Sequence, residues 1–270
     1  MHQYLFYIGD FPIRSYGLVL SLSIILATGV GYFFAKVDGR GYEKYLVDIG
    51  IIGGAAGLLG ARLWDVFFFD WHYYQNHLTE ILNVWQGGMA VQGGLILATI
   101  SVVIYAKRYK LDVLHLADLL APAMILGQAL GRCANLLNGD AFGAPTGSNF
   151  GLLYPSTTLA YRMYGDQPLW PAEVWECQLD IVIFALLLLF RCSNYCKGQC
   201  FALYVMLYST ARFFLEYFRG DYNQLVFGLL KSAQMTSVIA FILALMAFIF
   251  FRVKGKRGDK NDEQRQIDRD

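Results

Sequence analysis

The sequence predicts an all-α polytopic membrane protein of about seven transmembrane helices, with arm or head segments on the outer side of the membrane. Hydrophobic residues make up 56% of the chain and charged residues only 16%, whereas a typical soluble domain has about 25% charged residues. The apolar residues lie in long continuous blocks, which favours membrane helices over the alternating pattern of a β-barrel. A large soluble helical core is the alternative, and helices of this length with so few charges are rare in water.

Seven blocks come close to the ~20 residues that span a hydrocarbon core of ~30 Å. Lipid-exposed backbone must satisfy its own hydrogen bonds, so we expect each block to be a helix. We predict a single membrane-embedded domain over residues 1–252, an outer-side insert at about 138–173, and a charged cytoplasmic tail over residues 253–270. The seven predicted spans cover residues 17–37, 46–69, 88–106, 114–137, 174–190, 199–218 and 232–251.

The positive charges predict the orientation of the chain. Most of its 22 Lys and Arg residues follow the first, third, fifth and seventh predicted spans. The alternate segments hold only Arg14, Arg162, Arg219 and Lys231. Because basic residues concentrate on the cytoplasmic side of membrane proteins, the N-terminus is expected outside and the C-terminus in the cytoplasm.

Three arginines lie inside the predicted spans, each near the outer end of its helix: Arg62, Arg132 and Arg212. An arginine within the membrane is costly and indicates a functional site. Guanidinium groups are suited to bidentate phosphate recognition, and a phospholipid supplies a phosphate at that depth. The alternative is that each arginine reaches outward or pairs with an acid, such as Glu216 for Arg212 or Asp65 for Arg62.

Further polar residues are predicted at the same level of the membrane. Arg132, Asn135 and Asn138 are spaced by three, so they share one face if the helix persists. Asp140 follows Asn138 by two residues, and Glu176 lies near the start of the next predicted span. An apolar span has no need of such a stripe, which indicates a wet cavity opening to the outer leaflet.

One segment resembles a known family signature. Residues 131–143 read GRCANLLNGDAFG, and the prolipoprotein diacylglyceryl transferases carry Gly-Arg-x-(Gly or Ala)-Asn-Phe-apolar-Asn-x-Glu-x-x-Gly. Leu136 replaces the Phe and Asp140 replaces the Glu. The resemblance extends over about residues 10–252. It includes the segments IRSYG (13–17), GARL (60–63), WQGGMAVQGGL (85–95), PAEVWE (171–176) and RFFLEYFR (212–219).

The resemblance implies a reaction and a location. Members of that family move a diacylglyceryl group from phosphatidylglycerol to the cysteine thiol in the lipobox of a secreted prelipoprotein, and glycerol phosphate leaves. The implied site is at the outer face of a bacterial inner membrane. The implied partners are phosphatidylglycerol, the prelipoprotein signal peptide and membrane lipids, with no nucleic acid, no metal and no organic cofactor.

The resemblance also implies roles for individual residues. Arg132 would contact phosphatidylglycerol, Arg212 would be essential, and Tyr16 would be the functional tyrosine of the family. Arg132 and Arg212 would stabilise the leaving phosphate, and Glu216 would hold Arg212. The predicted catalytic residues are Arg132, Arg212, Asn135, Tyr16, Asp140 and Glu216. The predicted substrate-binding residues are Arg132, Arg62, Gln92, Asn138, Glu176 and Arg219.

Position 92 leaves two interpretations open. The family commonly has His where this chain has Gln92, and an amide cannot take the proton of the acceptor thiol. Either an acid or the phosphate itself takes that proton, or the chain is a divergent paralogue acting on another lipid or acceptor. An anionic-solute transporter and a non-catalytic lipid-binding scaffold are the remaining alternatives.

Overall fold

The computed structural model describes residues 1, 4–9, 11–83, 87–221, 225–226 and 230–267 of the chain, with side chains described except at 6–8, 11–13, 225–226 and 256–267. The chain divides into two compact units. The larger unit contains Met1–Ala27 and Ala117–Asp270, and the smaller unit contains Thr28–Leu116.

The described residues are mostly helical. The helices in chain order are α1 (Ser15–Asp38), α2 (Glu43–Trp64), α3 (Trp71–Tyr74), α4 (Val91–Arg108), α5 (Val113–Asn138), α6 (Leu159–Tyr164), α7 (Ala172–Arg191), α8 (Gln199–Leu215) and α9 (Ser232–Ile267). A π-helical segment (Asp65–Phe69) continues α2, and a 3₁₀ helix (Leu78–Leu82) follows α3.

Each predicted span coincides with one helix, namely α1, α2, α4, α5, α7, α8 and α9. Within the described residues, five helical segments are long and apolar enough to cross a membrane: Ser15–Asp38, Glu43–Phe69, Val91–Arg108, Val113–Asn138 and Ser232–Gly255. The other two helices differ for physical reasons. Helix α7 carries Glu173, Glu176 and Asp180. Helix α8 has 17 residues, which is about 25 Å and shorter than a ~30 Å hydrocarbon core. The helical fold is confirmed, and seven crossings stay a prediction.

Two short antiparallel hairpins were not predicted. Strands β1 (Tyr4–Ile8) and β2 (Phe11–Arg14) pair before α1, and β2 leads directly into that helix. Strands β3 (Leu225–Val226) and β4 (Leu230–Lys231) pair before α9. Strands this short leave little periodic signal in a sequence, so apolar-block analysis does not find them.

The larger unit has an apolar core between three helices. Buried residues of α5, α7 and α8 form it, and α9 packs along α8. At one end of this core, Asp118 of α5 is 1% exposed. Its carboxylate accepts hydrogen bonds from the backbone N–H of Gly198 (2.6 Å) and of Phe201 (2.8 Å) at the start of α8. The guanidinium of Arg191 on α7 donates to the Asp118 carbonyl oxygen (3.1 Å). One residue of α5 therefore supplies acceptors to both neighbouring helices.

The segment from α5 to α7 has a small core of its own, built from Phe142, Tyr154, Ala160 and Leu169. The Tyr154 hydroxyl donates to the Glu173 carboxylate. Burial and this neighbouring carboxylate raise the pKa of Tyr154 above its ordinary value near 10. A raised pKa favours the protonated Tyr154, which is the form that donates to Glu173.

In the smaller unit, glycines bring α2 and α4 into backbone contact. A Cβ placed on Gly60 would overlap the carbonyl oxygen of Gly93, and a Cβ on Gly93 would overlap the Gly60 carbonyl and the Cβ of Trp64. A Cβ on Gly94 would lie 3.0 Å from the carbonyl oxygen of Gly57. Small residues that let two backbones approach are typical of helix pairs in membranes.

This contact predicts that a Gly→Ala substitution lowers stability only where the added methyl group meets the other helix. Gly93→Ala is expected to destabilise the protein by about 1–3 kcal/mol, because the overlapping atoms are the Gly60 carbonyl and the Trp64 Cβ, which move only with the backbone. Gly29→Ala in α1 is the matched control, since nothing lies within 4 Å of its added Cβ. The midpoint of thermal unfolding in detergent compares the two variants. Equal midpoints for both would contradict the proposed backbone contact.

Candidate active site

The end of α5 organises the polar residues of the predicted stripe. Helix α5 ends at Asn138, and Gly139 turns the chain with a left-handed φ of 76°. This turn places Asp140 against the last turn of the helix. The Asn135 side-chain amide donates to one Asp140 carboxylate oxygen (2.7 Å), and the Asn138 amide donates to the other (2.8 Å). Arg132 Nη1 donates to Asn135 Oδ1 (3.3 Å). The shared face of these residues is confirmed, and an aspartate at position 140 reaches both amides.

Glu176 of α7 lies at the centre of the site and is 1% exposed. Its Oε1 lies 2.7 Å from Arg132 Nη2. Its Oε2 lies 3.6 Å from Arg212 Nη1 and 3.4 Å from Arg219 Nη1. One buried carboxylate therefore draws together three guanidinium groups from α5, from α8 and from the segment after α8. Such an arrangement is tolerated only because every charge has a counter-ion.

Two of these arginines are held by second acids. Arg212 Nη2 lies 2.8 Å from Glu216 Oε2, one helical turn away, as predicted. Arg219 makes a two-point ion pair with Asp221, with Nε donating to Oδ1 at 3.0 Å. Lys231 Nζ then donates to the carbonyl oxygens of Glu216 (2.9 Å) and Arg219 (2.8 Å). The positions of Arg212 and Arg219 are therefore fixed from both sides.

Within the described residues, the site keeps buried donors that form no hydrogen bond: Arg132 Nε and Arg212 Nη1. An unsatisfied buried donor costs about 1–3 kcal/mol, so native proteins retain few of them without a use. Both donors belong to guanidinium groups that share Glu176. A phosphate bears acceptor oxygens that would satisfy them. Tyr16 of α1 lies within electrostatic range of Arg132 and Asp140.

Two glycines allow the segment after Asp140 to pack closely against the segments around Trp170 and Arg219. A Cβ on Gly143 would overlap the Trp170 carbonyl oxygen, and a Cβ on Gly220 would lie 2.7 Å from the Gly143 carbonyl oxygen. The Gly220 N–H donates to the Phe142 carbonyl oxygen (3.1 Å). The last glycine of the signature is required because no side chain fits between these backbones.

Comparison with known proteins shows the family of the chain. Residues 3–250 match the family described as prolipoprotein diacylglyceryl transferase. The chain belongs to this family. A Geobacillus kaustophilus protein is 35% identical over 251 residues, covering 92% of both chains. A Clostridium novyi protein is 36% identical over 257 residues, covering 95% of this chain and 98% of its own. Both relatives are named phosphatidylglycerol–prolipoprotein diacylglyceryl transferase.

In this diacylglyceryl transferase family member, Arg62 binds backbone in the smaller unit. Its Nε donates to the carbonyl oxygen of Ile81 (2.8 Å) and its Nη2 to that of Glu80 (2.7 Å). Its Nη1 donates to the carbonyl oxygens of Gly87 (2.7 Å) and Gly88 (3.0 Å). Arg62 is 3% exposed. The suggested partner Asp65 is more distant, at 3.9 Å. Arg62 thus binds the backbone of residues 80–81 and 87–88, and its contact with substrate stays a prediction.

Gln92 lies in the first turn of α4 and is exposed. Like Arg62, it belongs to the smaller unit, whereas the other predicted site residues belong to the larger unit. Trp85 and Gln86, which begin the segment of family resemblance around Gln92, lie outside the described residues. The substrate contact predicted for Gln92 stays a prediction.

Sequence analysis did not assign three residues to this site that the structure places in contact with it: Tyr208, Asp221 and Lys231. The Tyr208 hydroxyl lies 3.4 Å from Glu176 Oε1. Tyr208 precedes Arg212 by one helical turn, so the same i,i+4 spacing that pointed to Glu216 could have found it. Asp221 and Lys231 lie outside the helices of the site, where helical spacing gives no signal.

Proposed function

We propose that this chain transfers the diacylglyceryl group of phosphatidylglycerol to the lipobox cysteine of bacterial prelipoproteins, releasing glycerol phosphate. One observation supports the proposal most directly. In this family member, Arg132 and Arg212 both form ion pairs with Glu176, and a donor of each arginine has no hydrogen-bond acceptor among the described residues. Phosphate is an acceptor group of the right charge for these donors.

The reaction breaks one carbon–oxygen bond and forms one carbon–sulfur bond. The cysteine must first lose its proton, because the thiolate is the nucleophile. Its sulfur then attacks the glycerol carbon that is bonded to the phosphate oxygen. That oxygen leaves with the bonding electrons as part of glycerol phosphate, which gains one negative charge. Arg132 and Arg212 are assigned to stabilise this developing charge.

The other residues position those two arginines. Asn135, tied to Asp140, orients Arg132, while Glu216 orients Arg212. Glu176 sets the spacing between the two guanidinium groups. Tyr16 and Asn138 are assigned to contact the glycerol or phosphate oxygens. Arg219 is assigned to hold Glu176, and Arg62 to position residues 80–81 and 87–88.

The proposed setting is the bacterial inner membrane, crossed seven times, with the N-terminus outside and the C-terminus in the cytoplasm. The distribution of Lys and Arg between alternate connections supports this orientation. Arg132 and Arg212 then lie toward the outer leaflet, where a secreted prelipoprotein and phosphatidylglycerol are both accessible. Lateral entry of the lipid between helices fits such a site.

The test uses the purified full chain in phosphatidylglycerol liposomes with a lipobox peptide. Mass spectrometry is expected to find a diacylglyceryl thioether on the peptide cysteine. A peptide with Ser in place of that cysteine, and liposomes of phosphatidylcholine alone, are expected to give no product. Absence of product from well-folded protein would contradict the proposal and favour a paralogue with another lipid or acceptor.

Gln92→Ala is expected to lower the transfer rate by less than about tenfold. An amide can contribute a hydrogen bond worth about 0.5–1.5 kcal/mol, whereas a general base contributes about 10²–10⁴-fold. The rate with the lipobox peptide at saturating lipid measures the effect, with Gln75→Ala, an exposed glutamine of the same unit, as control. A loss of a hundredfold or more would show that position 92 takes part in the proton transfer after all.

A further inference from the structure

We propose a second phosphate-binding site, in a pocket of the larger unit beside the candidate active site. The pocket has a volume of about 320 Å³. It is lined by Tyr4, Arg14, Asn138, Thr157, Leu159 and Arg162. None of the contacts among Arg132, Arg212, Arg219 and Glu176 uses Arg14 or Arg162.

The charge of the pocket favours an anion. Arg14 and Arg162 both line it, and among the described residues no carboxylate does. Neither guanidinium makes a hydrogen bond or an ion pair with any residue in the described part of the chain, and Arg14 lies 5.8 Å from the ring centre of Tyr4. Two like charges that face one concave surface repel each other, so a bound anion would lower the free energy of both. The hydroxyl of Thr157 and the amide of Asn138 add hydrogen-bonding groups at the same wall.

The placement of these arginines in the sequence supports the same conclusion. The segments predicted to face outward contain four basic residues: Arg14, Arg162, Arg219 and Lys231. Arg219 and Lys231 are used to build the candidate active site. The remaining two line this pocket. Basic residues are disfavoured on the outer side of an inner-membrane protein, so two of them in the lining of one pocket fit an anionic ligand there.

A chain of hydrogen bonds connects the pocket to the site. Asn138, which lines the pocket, donates to Asp140 (2.8 Å). Asp140 accepts from the side-chain amide of Asn135 (2.7 Å), and the Asn135 side-chain oxygen Oδ1 accepts from Arg132 (3.3 Å). Occupation of the pocket therefore acts on the same aspartate that positions the amide beside Arg132.

The ligand chemistry that fits is a phosphate group with exposed oxygens. It has two sources: free phosphate esters such as glycerol phosphate, and the head group of an anionic phospholipid. A role of the pocket in catalytic turnover rests on the proposed function, because that reaction consumes phosphatidylglycerol and releases glycerol phosphate. Binding of phosphate by Arg14 and Arg162 does not depend on turnover.

Native mass spectrometry of the full chain in detergent tests the site. Glycerol phosphate is titrated in one arm and phosphatidylglycerol in the other. Unaltered protein is expected to bind two equivalents of at least one of these ligands, and Arg132→Ala is expected to retain one. The double variant Arg14→Gln with Arg162→Gln is expected to lose the other, with at least about a tenfold weaker affinity, since it loses two charge-assisted contacts. Arg40→Gln with Arg108→Gln, two exposed arginines of the smaller unit, is the matched control and is expected to bind as the unaltered protein does.

The two arms separate the sources. Loss of glycerol phosphate from the double variant supports a pocket for free phosphate esters, and loss of phosphatidylglycerol supports a lipid head-group pocket. Thr157→Asp adds a carboxylate to the wall and is expected to reproduce either loss through repulsion. Unchanged binding of both ligands by the double variant would overturn the site. Thioether formation is measured separately, so failure of the proposed transferase reaction leaves the binding result readable.

Discussion

Arg132→Ala is expected to lower diacylglyceryl transfer by about 10²–10³-fold, the loss typical of removing one donor from a developing oxyanion. Arg132 is bound to the site at two points, through Glu176 at 2.7 Å and Asn135 at 3.3 Å. Its Nε remains without a hydrogen bond in the described residues. A guanidinium with a fixed orientation and a donor that lacks an acceptor is suited to stabilise a leaving phosphate.

The Arg132 prediction is checked by initial rates of thioether formation in phosphatidylglycerol liposomes. Arg132→Lys is the informative companion, because it keeps the positive charge and loses the planar set of donors. Its rate is expected between those of the unaltered protein and Arg132→Ala. Arg40→Ala, an exposed arginine in the smaller unit, serves as the control. Full activity of well-folded Arg132→Ala would remove this residue from the reaction.

Glu176→Gln is expected to destabilise the larger unit by about 3–5 kcal/mol and to abolish most of the transfer. Removing one partner of a buried charge cluster leaves the others uncompensated, and here the neutral amide would face Arg132, Arg212 and Arg219 at once. These arginines are mostly shielded from solvent, with side chains 19%, 18% and 7% exposed. Water would therefore compensate little of the lost charge.

Thermal unfolding in detergent and the transfer rate together test the Glu176 prediction. Asp166→Asn, an exposed acid of the same unit, is the control and is expected to leave both quantities unchanged. Glu176→Asp retains the charge and is expected to recover part of the stability, because a carboxylate one methylene shorter still opposes the guanidinium groups. A Glu176→Gln protein with normal stability would show that the three arginines do not depend on this carboxylate.

Much of this molecule follows from local sequence patterns. The seven long helices could be predicted because each contains a continuous apolar block. The face shared by Arg132, Asn135 and Asn138 could be predicted because it depends only on helical spacing. The pairing of Arg212 with Glu216 follows from the same spacing. The family resemblance depends on a thirteen-residue signature and on five further short segments between residues 13 and 219.

Other features depend on contacts that no local pattern encodes. Each of the three arginines at Glu176 lies far from it in the sequence, up to 44 positions away for Arg132. Their meeting needs the packing of α5, α7 and α8. Arg62 was predicted to bind substrate because an arginine in an apolar span stands out. Its acceptors are the backbone carbonyls of Glu80, Ile81, Gly87 and Gly88, and a carbonyl oxygen is present at every position whatever the side chain.

The carboxylate of Asp118 also has a consequence for biosynthesis. Its two acceptor oxygens serve N–H groups that lie about eighty residues later in the chain, at Gly198 and Phe201. At a synthesis rate of about 5–20 residues per second, those groups emerge from the ribosome some 4–16 s after the aspartate. Until then the carboxylate on α5 lacks these two donors, which the start of α8 supplies. The late helices therefore complete the placement of an early one, and a nascent chain that stops before residue 201 is expected to be a poor substrate for stable insertion.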